Sequence, residues 1–238
     1  MVALTNRKTA ILGGSTGIGL ATAAALAQRG AEVTIGGRDR DRLAKAQASV
    51  SCRAIPVDAT DAGSLRDFYE EAGPVDDLVV TVTRRGGAGP AADIADRDLV
   101  DAFEGKPVAH LQAAALSLPT LDERGSVTLV TAGSAQSALP GTALLASVNG
   151  AIEAAVPPLA RELAPRRVNA VSPGVVETDW WSPLPEADRA ATFAQFAERA
   201  PVGRNGAAED VAHAITMLIE NDYITGVVLP CDGGLRLT

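Results

Sequence analysis

Thr9-Ala10-Ile11-Leu12-Gly13-Gly14-Ser15-Thr16-Gly17-Ile18-Gly19 is the stretch that decides the fold. A short apolar run, Thr9 to Leu12, passes through a glycine-rich turn into an Ala-rich segment of helical period from about Ile18 to Arg29. Strand, tight turn and helix open a βαβ unit. The glycines let the backbone turn sharply and approach a pyrophosphate on the helix N-terminus, where amide groups and the macrodipole favour anions. The plainer alternative is that they only make a tight turn.

The same alternation continues outward from this segment. Short apolar runs recur at Glu32 to Ile35, Arg53 to Val57, Leu78 to Val82, Ser126 to Thr131, Arg167 to Val171 and Gly226 to Pro230, with Ala/Leu-rich helical stretches between them. Seven strands alternating with helices predict a doubly wound α/β fold, a parallel seven-stranded sheet with helices on both faces. Ligands of such sheets bind beyond the carboxyl ends of the strands. No repeat or low-complexity linker divides the chain, so residues 1–238 are expected to form one domain. The long insertion around 175–200, with Trp180 and Trp181, is expected to cover a substrate pocket.

Aromatic residues make up only 3% of a chain that is 47% apolar, which suits tightly packed strands and helices better than a sandwich. A net charge of −8 and a pI near 4.8 argue against nucleic acid or an anionic membrane as partner and favour a small molecule. Cys52 and Cys231 lack metal or redox spacing and are expected to be buried thiols, and no metal site is expected. Met1 leads straight toward a strand without a signal-peptide pattern, and no run of 18 apolar residues exists, which predicts a cytoplasmic protein.

The second strand ends in Gly36-Gly37-Arg38-Asp39. A carboxylate here would bind a ribose 2′-hydroxyl and an arginine a 2′-phosphate, and because Arg38 comes first the sequence favours NADP(H). Ser15 is placed to add a hydroxyl. Alternatively Arg38 solvates a loop while Asp39 caps the next helix. Asp58, in Val57-Asp58-Ala59-Thr60-Asp61, either accepts from an adenine amino group or forms an Asx-turn.

With these features the chain resembles the short-chain dehydrogenase/reductase family over almost its whole length. The resemblance is carried by the glycine loop, Val57-Asp58, Leu163-Ala164-Pro165, Arg167-Val168-Asn169-Ala170-Val171-Ser172-Pro173-Gly174, Thr178, Gly203-Arg204, Glu209-Asp210-Val211-Ala212 and Asp232-Gly233-Gly234, in family order. It implies an NAD(P)(H)-binding Rossmann-type fold and a homo-oligomer, a tetramer or dimer. By position it places Gly13, Ser15, Thr16, Gly17, Ile18, Gly19, Arg38 and Asp58 along the cofactor. Pro173, Gly174, Val176 and Thr178 would flank the nicotinamide, with Thr178 bonding its carboxamide.

The family's catalytic serine, tyrosine and lysine fall on Ala132, Leu145 and Asn149, none of which can donate the required proton. Its Asn-Asn-Ala-Gly becomes Val80-Thr81-Val82-Thr83, and its helix asparagine becomes Lys106. Lys106 and His110 are four apart on one expected helix and are the candidate replacement acids, with Pro107 between them bearing on the helix geometry; alternatively Lys106 is a helix-surface charge and His110 a satisfied, half-buried histidine. Ser134, Thr131 and Ser147 are candidates to orient a carbonyl oxygen, and Glu177 and Asp179 could act as bases at the pocket cover. Trp180 and Trp181 would form an apolar wall, or equally anchor the insertion to its own domain or bury an oligomer contact.

The function that follows is an NADP(H)-dependent oxidoreductase acting by hydride transfer on a small apolar carbonyl, alcohol or conjugated substrate. Protonation would come from Lys106, His110, substrate or water. The alternatives are a non-redox cyclase, isomerase or lyase, and a catalytically silent cofactor-binding subunit. Oligomer contacts are expected on the Ala151 to Leu163 helix and the Gly226 to Thr238 tail, with Pro157 and Pro158 bending that helix.

Overall fold

A computed structural model describes residues 3–84 and 86–238; Met1, which heads the segment expected to lead into the first strand, lies outside them. Seven strands form one sheet: β1 (Lys8–Leu12), β2 (Glu32–Gly37), β3 (Arg53–Pro56), β4 (Val75–Val80), β5 (Leu121–Val130), β6 (Arg167–Pro173) and β7 (Val228–Cys231). Their order is β3-β2-β1-β4-β5-β6-β7, and every pairing is parallel. All seven expected runs are strands, and the α/β class holds. The order reverses between β1 and β4, which opens a crevice at their carboxyl ends.

Period-2 alternation sends successive side chains to opposite faces and builds two cores. Ala10, Leu12, Leu78, Val80, Val127 and Leu129 pack with α3 (Ala62–Ala72), α5 (Ala109–Ser117) and α6 (Ala143–Glu162). Ile11, Val33, Ile35, Val79, Val130 and Val171 pack with α1 (Gly17–Ala27), α2 (Arg40–Ser49) and α8 (Ala208–Glu220). Both faces of the sheet are therefore dry, which is why its strands read as continuous apolar runs rather than as alternating ones.

Buried Asp77 in β4 is held by Arg7 and by the Ser126 hydroxyl. Buried Arg167 in β6 donates to the carbonyls of Leu218 and Ile219 at the end of α8. These bonds satisfy groups that burial would otherwise penalise.

Three expectations change. The predicted Ala151 to Leu163 helix is longer and continuous, Ala143–Glu162, and Pro157 and Pro158 lie inside it. Both prolines are on its exposed side, where water can take the carbonyls that lose an intrahelical donor. Cys52 and Cys231 are half-buried rather than fully buried. The helix expected through Lys106 and His110 is interrupted: α4 (Asp96–Phe103) passes through a π-turn, Glu104–Val108, into α5. Pro107 lacks the N–H that an α-helical ladder needs, and the wider turn absorbs that loss.

The α6 helix is long and apolar enough to cross a membrane by length and composition, but here Ile152, Val156 and Ala160 pack into the core on one face of the sheet, and Leu144 and Val148 are buried as well. The insertion after β6 carries a short 3₁₀ turn, Asp179–Trp181, and α7 (Glu186–Arg199), which buries none of its residues.

Candidate active site

The residues expected to hold a dinucleotide come together. Gly13, Ser15, Thr16, Gly17, Ile18, Gly19, Arg38, Asp58, Pro173, Gly174, Val176 and Thr178 all line one cleft of about 1330 Å³ above the carboxyl ends of the strands. The glycine loop is shaped by close backbone approach. A Cβ on Gly19 would lie 2.2 Å from the Gly13 carbonyl oxygen, and one on Gly13, at φ +84°, would lie 2.5 Å from the Thr81 hydroxyl. Thr81 bonds the Leu12 and Gly13 carbonyls at 3.1 Å each and so fixes the loop from β4. Thr16 precedes α1 without capping it, which leaves the first-turn amides directed at the cleft.

At the far end of this half, Asp39 caps α2 by accepting from the Asp41 and Arg42 amides at 3.0 Å. The capping alternative therefore holds for Asp39, while Arg38 stays exposed on the cleft wall. Asp58 forms the Asx-turn, accepting from the Thr60 amide at 3.0 Å and its hydroxyl at 2.7 Å. Burial raises the Asp58 pKa, but the Thr60 bonds and the Arg38 charge outweigh it and hold the carboxyl below its usual range. Arg38 and Asp58 thus face the same end of the cleft, a cation and an acceptor suited to a 2′-phosphate and an adenine edge.

The other half of the cleft is walled by side chains. Ala132, Leu145 and Asn149, the residues that the sequence leads one to expect at the family's serine, tyrosine and lysine positions, line the cleft. Asn149 donates from Nδ2 to the Leu145 carbonyl at 2.8 Å and to Ser134 Oγ at 3.2 Å. Its buried Oδ1 accepts from no partner among the described residues.

Lys106 reaches this space from the π-turn. It is 9% exposed and lines the cleft, with its Nζ 3.4 Å from the Thr131 carbonyl oxygen. Burial pulls its pKa down to about 8, against the raising influence of Glu153.

His110 shares Lys106's helical run but not the cleft. Its ring is fully buried, with Nδ1 2.9 Å from the Lys106 carbonyl oxygen. Burial, then the Lys106 charge, press its pKa down to about 3. Such an imidazole is neutral at pH 7 and faces the protein interior, so the structure does not bring it to the reacting space.

Ser134, Thr131, Asp179, Trp180 and Trp181 do line the cleft. Ser147 is exposed and bonds its own helix at the Ala143 carbonyl, and Glu177 is exposed and accepts from Asn205. Trp180 and Trp181 stack edge-on at 4.8 Å, Trp181 meets Phe193 of α7 at 5.6 Å, and Trp181 Nε1 donates to the Val176 carbonyl. The insertion is therefore anchored to its own backbone while presenting an apolar wall.

The feature that sequence reasoning missed is Glu153. Half-buried behind the cleft wall, it accepts from the Thr131 and Ser172 hydroxyls at 2.8 Å each and from Gln136 Nε2 at 2.9 Å. Its signal was the spacing: Glu153 follows Asn149 by four residues, on the same face of a helix already aligned with the centre. Among the described residues no group of three or more His, Cys, Asp and Glu side chains is placed to hold a metal.

The comparisons decide the family. Residues 13–236 match a family model described as enoyl-(acyl carrier protein) reductase. The chain is 32% identical to a 3-oxoacyl-[acyl-carrier-protein] reductase of Rattus norvegicus over 96% of its length and 98% of the relative. It belongs to the short-chain dehydrogenase/reductase family. The reductase and dehydrogenase descriptions of these relatives support an oxidoreductase of this family's type, and the solved structures agree in fold. One, described as a small-chain dehydrogenase in complex with NADPH, superposes with a TM-score of 0.85 at 31% identity, covering 98% of this chain and all of the other. Another, a MalC Reductase/Diels-Alderase from Malbranchea aurantiaca, gives 0.92 at 25% identity, covering 99% of this chain and 98% of the other.

Proposed function

We propose that the protein is an NADP(H)-dependent oxidoreductase that reduces a small apolar carbonyl or conjugated substrate, or runs the reverse oxidation, with Lys106 in place of the family tyrosine as proton donor. The observation that carries this reading is a buried amine on the cleft wall, where Ala132, Leu145 and Asn149 offer no acid.

The residues fit a bound dinucleotide. The close-packed Gly13 and Gly19 would let the backbone meet a pyrophosphate, and Arg38 with Ser15 would take the 2′-phosphate. The NADPH complex of a relative supports that choice of cofactor. The unpartnered Asn149 Oδ1 would accept a ribose hydroxyl at the family lysine's place, and Thr178 would hold the carboxamide. When bound, NADPH supplies the hydride.

The protein's own share of the chemistry is the proton and the position. An ammonium with a pKa near 8 is mostly charged at neutral pH, so Lys106 can polarise a carbonyl oxygen and then protonate it. Ser134, already oriented by Asn149, offers a second donor to that oxygen. Leu139, Leu144, Leu145, Trp180 and Trp181 exclude water and favour an apolar substrate body.

The test is NADPH oxidation with a panel of apolar ketones, aldehydes and enones, for the wild type and Lys106→Met. Reduction that falls as pH rises through about 8 and is lost in the variant supports the reading. Wild-type rates in Lys106→Met would sink it.

A second reading, non-redox chemistry in the same cleft, is favoured by the loss of three catalytic groups at once and by the resemblance to a reductase that is also described as a Diels-Alderase. Product formed with no change in nicotinamide absorbance would select it. We also infer a cytoplasmic homo-oligomer. Support for the oligomer comes from the exposed apolar Leu99, Val100, Phe103, Val108 and Leu111 along α4, the π-turn and α5, and a monomer by light scattering would overturn it.

A further inference from the structure

The centre of this molecule contains a second unusual charge besides Lys106. Glu153 sits one layer behind the cleft, on α6, and does not line it. Its Oε1 receives the hydroxyl of Thr131, just past the end of β5, and the Ser172 hydroxyl from β6, and its Oε2 receives Gln136 from the 3₁₀ turn at Gly133–Gln136. Three donors from three segments fix the carboxylate more firmly than a surface glutamate could be fixed. The Thr131 main-chain carbonyl is also the acceptor nearest to Lys106 Nζ, at 3.4 Å. One residue therefore touches the amine with its backbone and the carboxylate with its side chain.

We propose that Glu153 is the positioning residue of this rebuilt centre: it holds Thr131 and Ser172 in place and, as the counter-charge across the cleft wall, keeps the Lys106 amine protonated. The assignment deepens the reading of Lys106 as proton donor and rests on it for its catalytic meaning, although the coupling itself does not require turnover.

The geometry around Lys106 leaves Glu153 as its main electrostatic partner. On its own run, His110 is buried and neutral at pH 7 and Glu104 is exposed. From the loop after β4, Arg84 packs on Gly105 but is paired with Asp101 of α4 at 2.9 Å. Asp98 of α4 is exposed and accepts from the Ala95 amide. Just past β5 the facing residue is uncharged Thr131, and from α6 it is Asn149 followed by Glu153. Burial favours the neutral amine, so the opposing pull of one fixed carboxylate decides how much of it is charged at neutral pH. This arrangement suits a proton donor. A lysine buried without such a partner would titrate lower still and offer a base instead.

The sequence makes the coupling directly measurable, because the whole chain contains only three lysines, Lys8, Lys45 and Lys106. Lys8 and Lys45 are exposed and serve as internal references. The full chain is labelled with 13C at lysine Cε, its three signals are assigned with Lys8→Arg and Lys45→Arg, and each is titrated by NMR in the wild type and in Glu153→Gln. The Lys106 midpoint is expected to fall by about one pH unit in Glu153→Gln, with Lys8 and Lys45 unmoved.

A merely structural Glu153 would lower the melting temperature and leave the midpoint of folded Lys106 unchanged, and that result overturns the proposal. Should Glu153→Gln fail to fold, Glu153→Asp, which draws the charge back by one methylene, is read in the same way: a fall of about half a pH unit is expected, and no movement overturns the assignment. The two readings also fail separately. A shifted midpoint in a protein that oxidises no NADPH leaves the coupling standing and removes the hydride-transfer reading. Turnover with an unshifted midpoint removes the role of Glu153 alone.

Discussion

The two ends of the cleft differ in what holds them. At the β1–α1–β2 end, the dinucleotide loop is set by backbone contacts: Gly19 against the Gly13 carbonyl, and Thr81 bonding the Leu12 and Gly13 carbonyls. At the β5–α6 end, the wall is set by side chains: Ala132, Leu145 and Asn149 on the cleft, Lys106 from the π-turn and Glu153 behind. Backbone packing tolerates almost no substitution where a Cβ would overlap a carbonyl. A side-chain constellation can be rebuilt on an unchanged scaffold provided its buried polar groups still find partners. The comparison teaches that the loop reports the cofactor, whereas the reaction must be read from which side chain now carries the proton.

The largest test of that division is Lys106→Met. Removing a general acid is expected to lower kcat for carbonyl reduction by about 10² to 10⁴-fold, while NADPH affinity, set by the other end, stays within about twofold on isothermal titration. The same variant should be more stable. The folded pKa of Lys106, about 8, lies below the ordinary 10.5, so the buried charge opposes folding at pH 7, and the opposition fades only as pH rises from 8 to 10.5. Denaturant unfolding at pH 7 should show a gain of about 3 kcal/mol, and a loss of stability would mean that the ammonium is not an electrostatic burden.

Gly19→Val probes the opposite end. A side chain overlapping the Gly13 carbonyl should weaken NADPH binding at least about 100-fold, roughly 3 kcal/mol, with the far-ultraviolet dichroism of the sheet retained. Unchanged affinity would break the claim that the backbone of this loop cradles the pyrophosphate.

His110 marks the boundary between the ends, and its effect appears in acid. Its folded pKa of about 3 is below the ordinary 6.5, so the unfolded chain takes up the proton first and stability falls as pH drops from 6.5 towards 3. Between pH 7 and 4.5 the wild type should lose about 2 to 3 kcal/mol from this group, a slope that His110→Gln removes. If activity rather than stability followed His110, the imidazole would belong to the centre after all.

Arg38→Ala is the smallest change. NADPH should bind about 10 to 100-fold more weakly while NADH affinity is unchanged. Equal losses for both would reassign Arg38 to general electrostatics.

Much of this was legible along the chain. The seven strands follow from apolar runs because both faces of a parallel sheet are buried, and the glycine spacing fixes the loop because only glycine permits those approaches. Arg38 and Lys106 could be named from position alone. His110 could not be judged that way: four residues from Lys106 on a regular helix it would share a face, but the π-turn at Glu104–Val108 directs Lys106 to the cleft while His110 packs inside. Pro157 and Pro158 misled for a related reason, since their effect depends on which side of α6 meets water.

What the sequence by itself determined is the doubly wound sheet, the family and the dinucleotide loop, because these rest on local periodicity and on steric limits written into residue types. What only the tertiary structure decided is the arrangement of side chains at the β5–α6 end. Lys106, Thr131, Glu153 and Ser172 come from a π-turn, the residue after a strand, a helix and a strand, up to 66 positions apart. Their charges acquire meaning only when burial removes the water between them, and burial is a property of the packed molecule rather than of any segment of it.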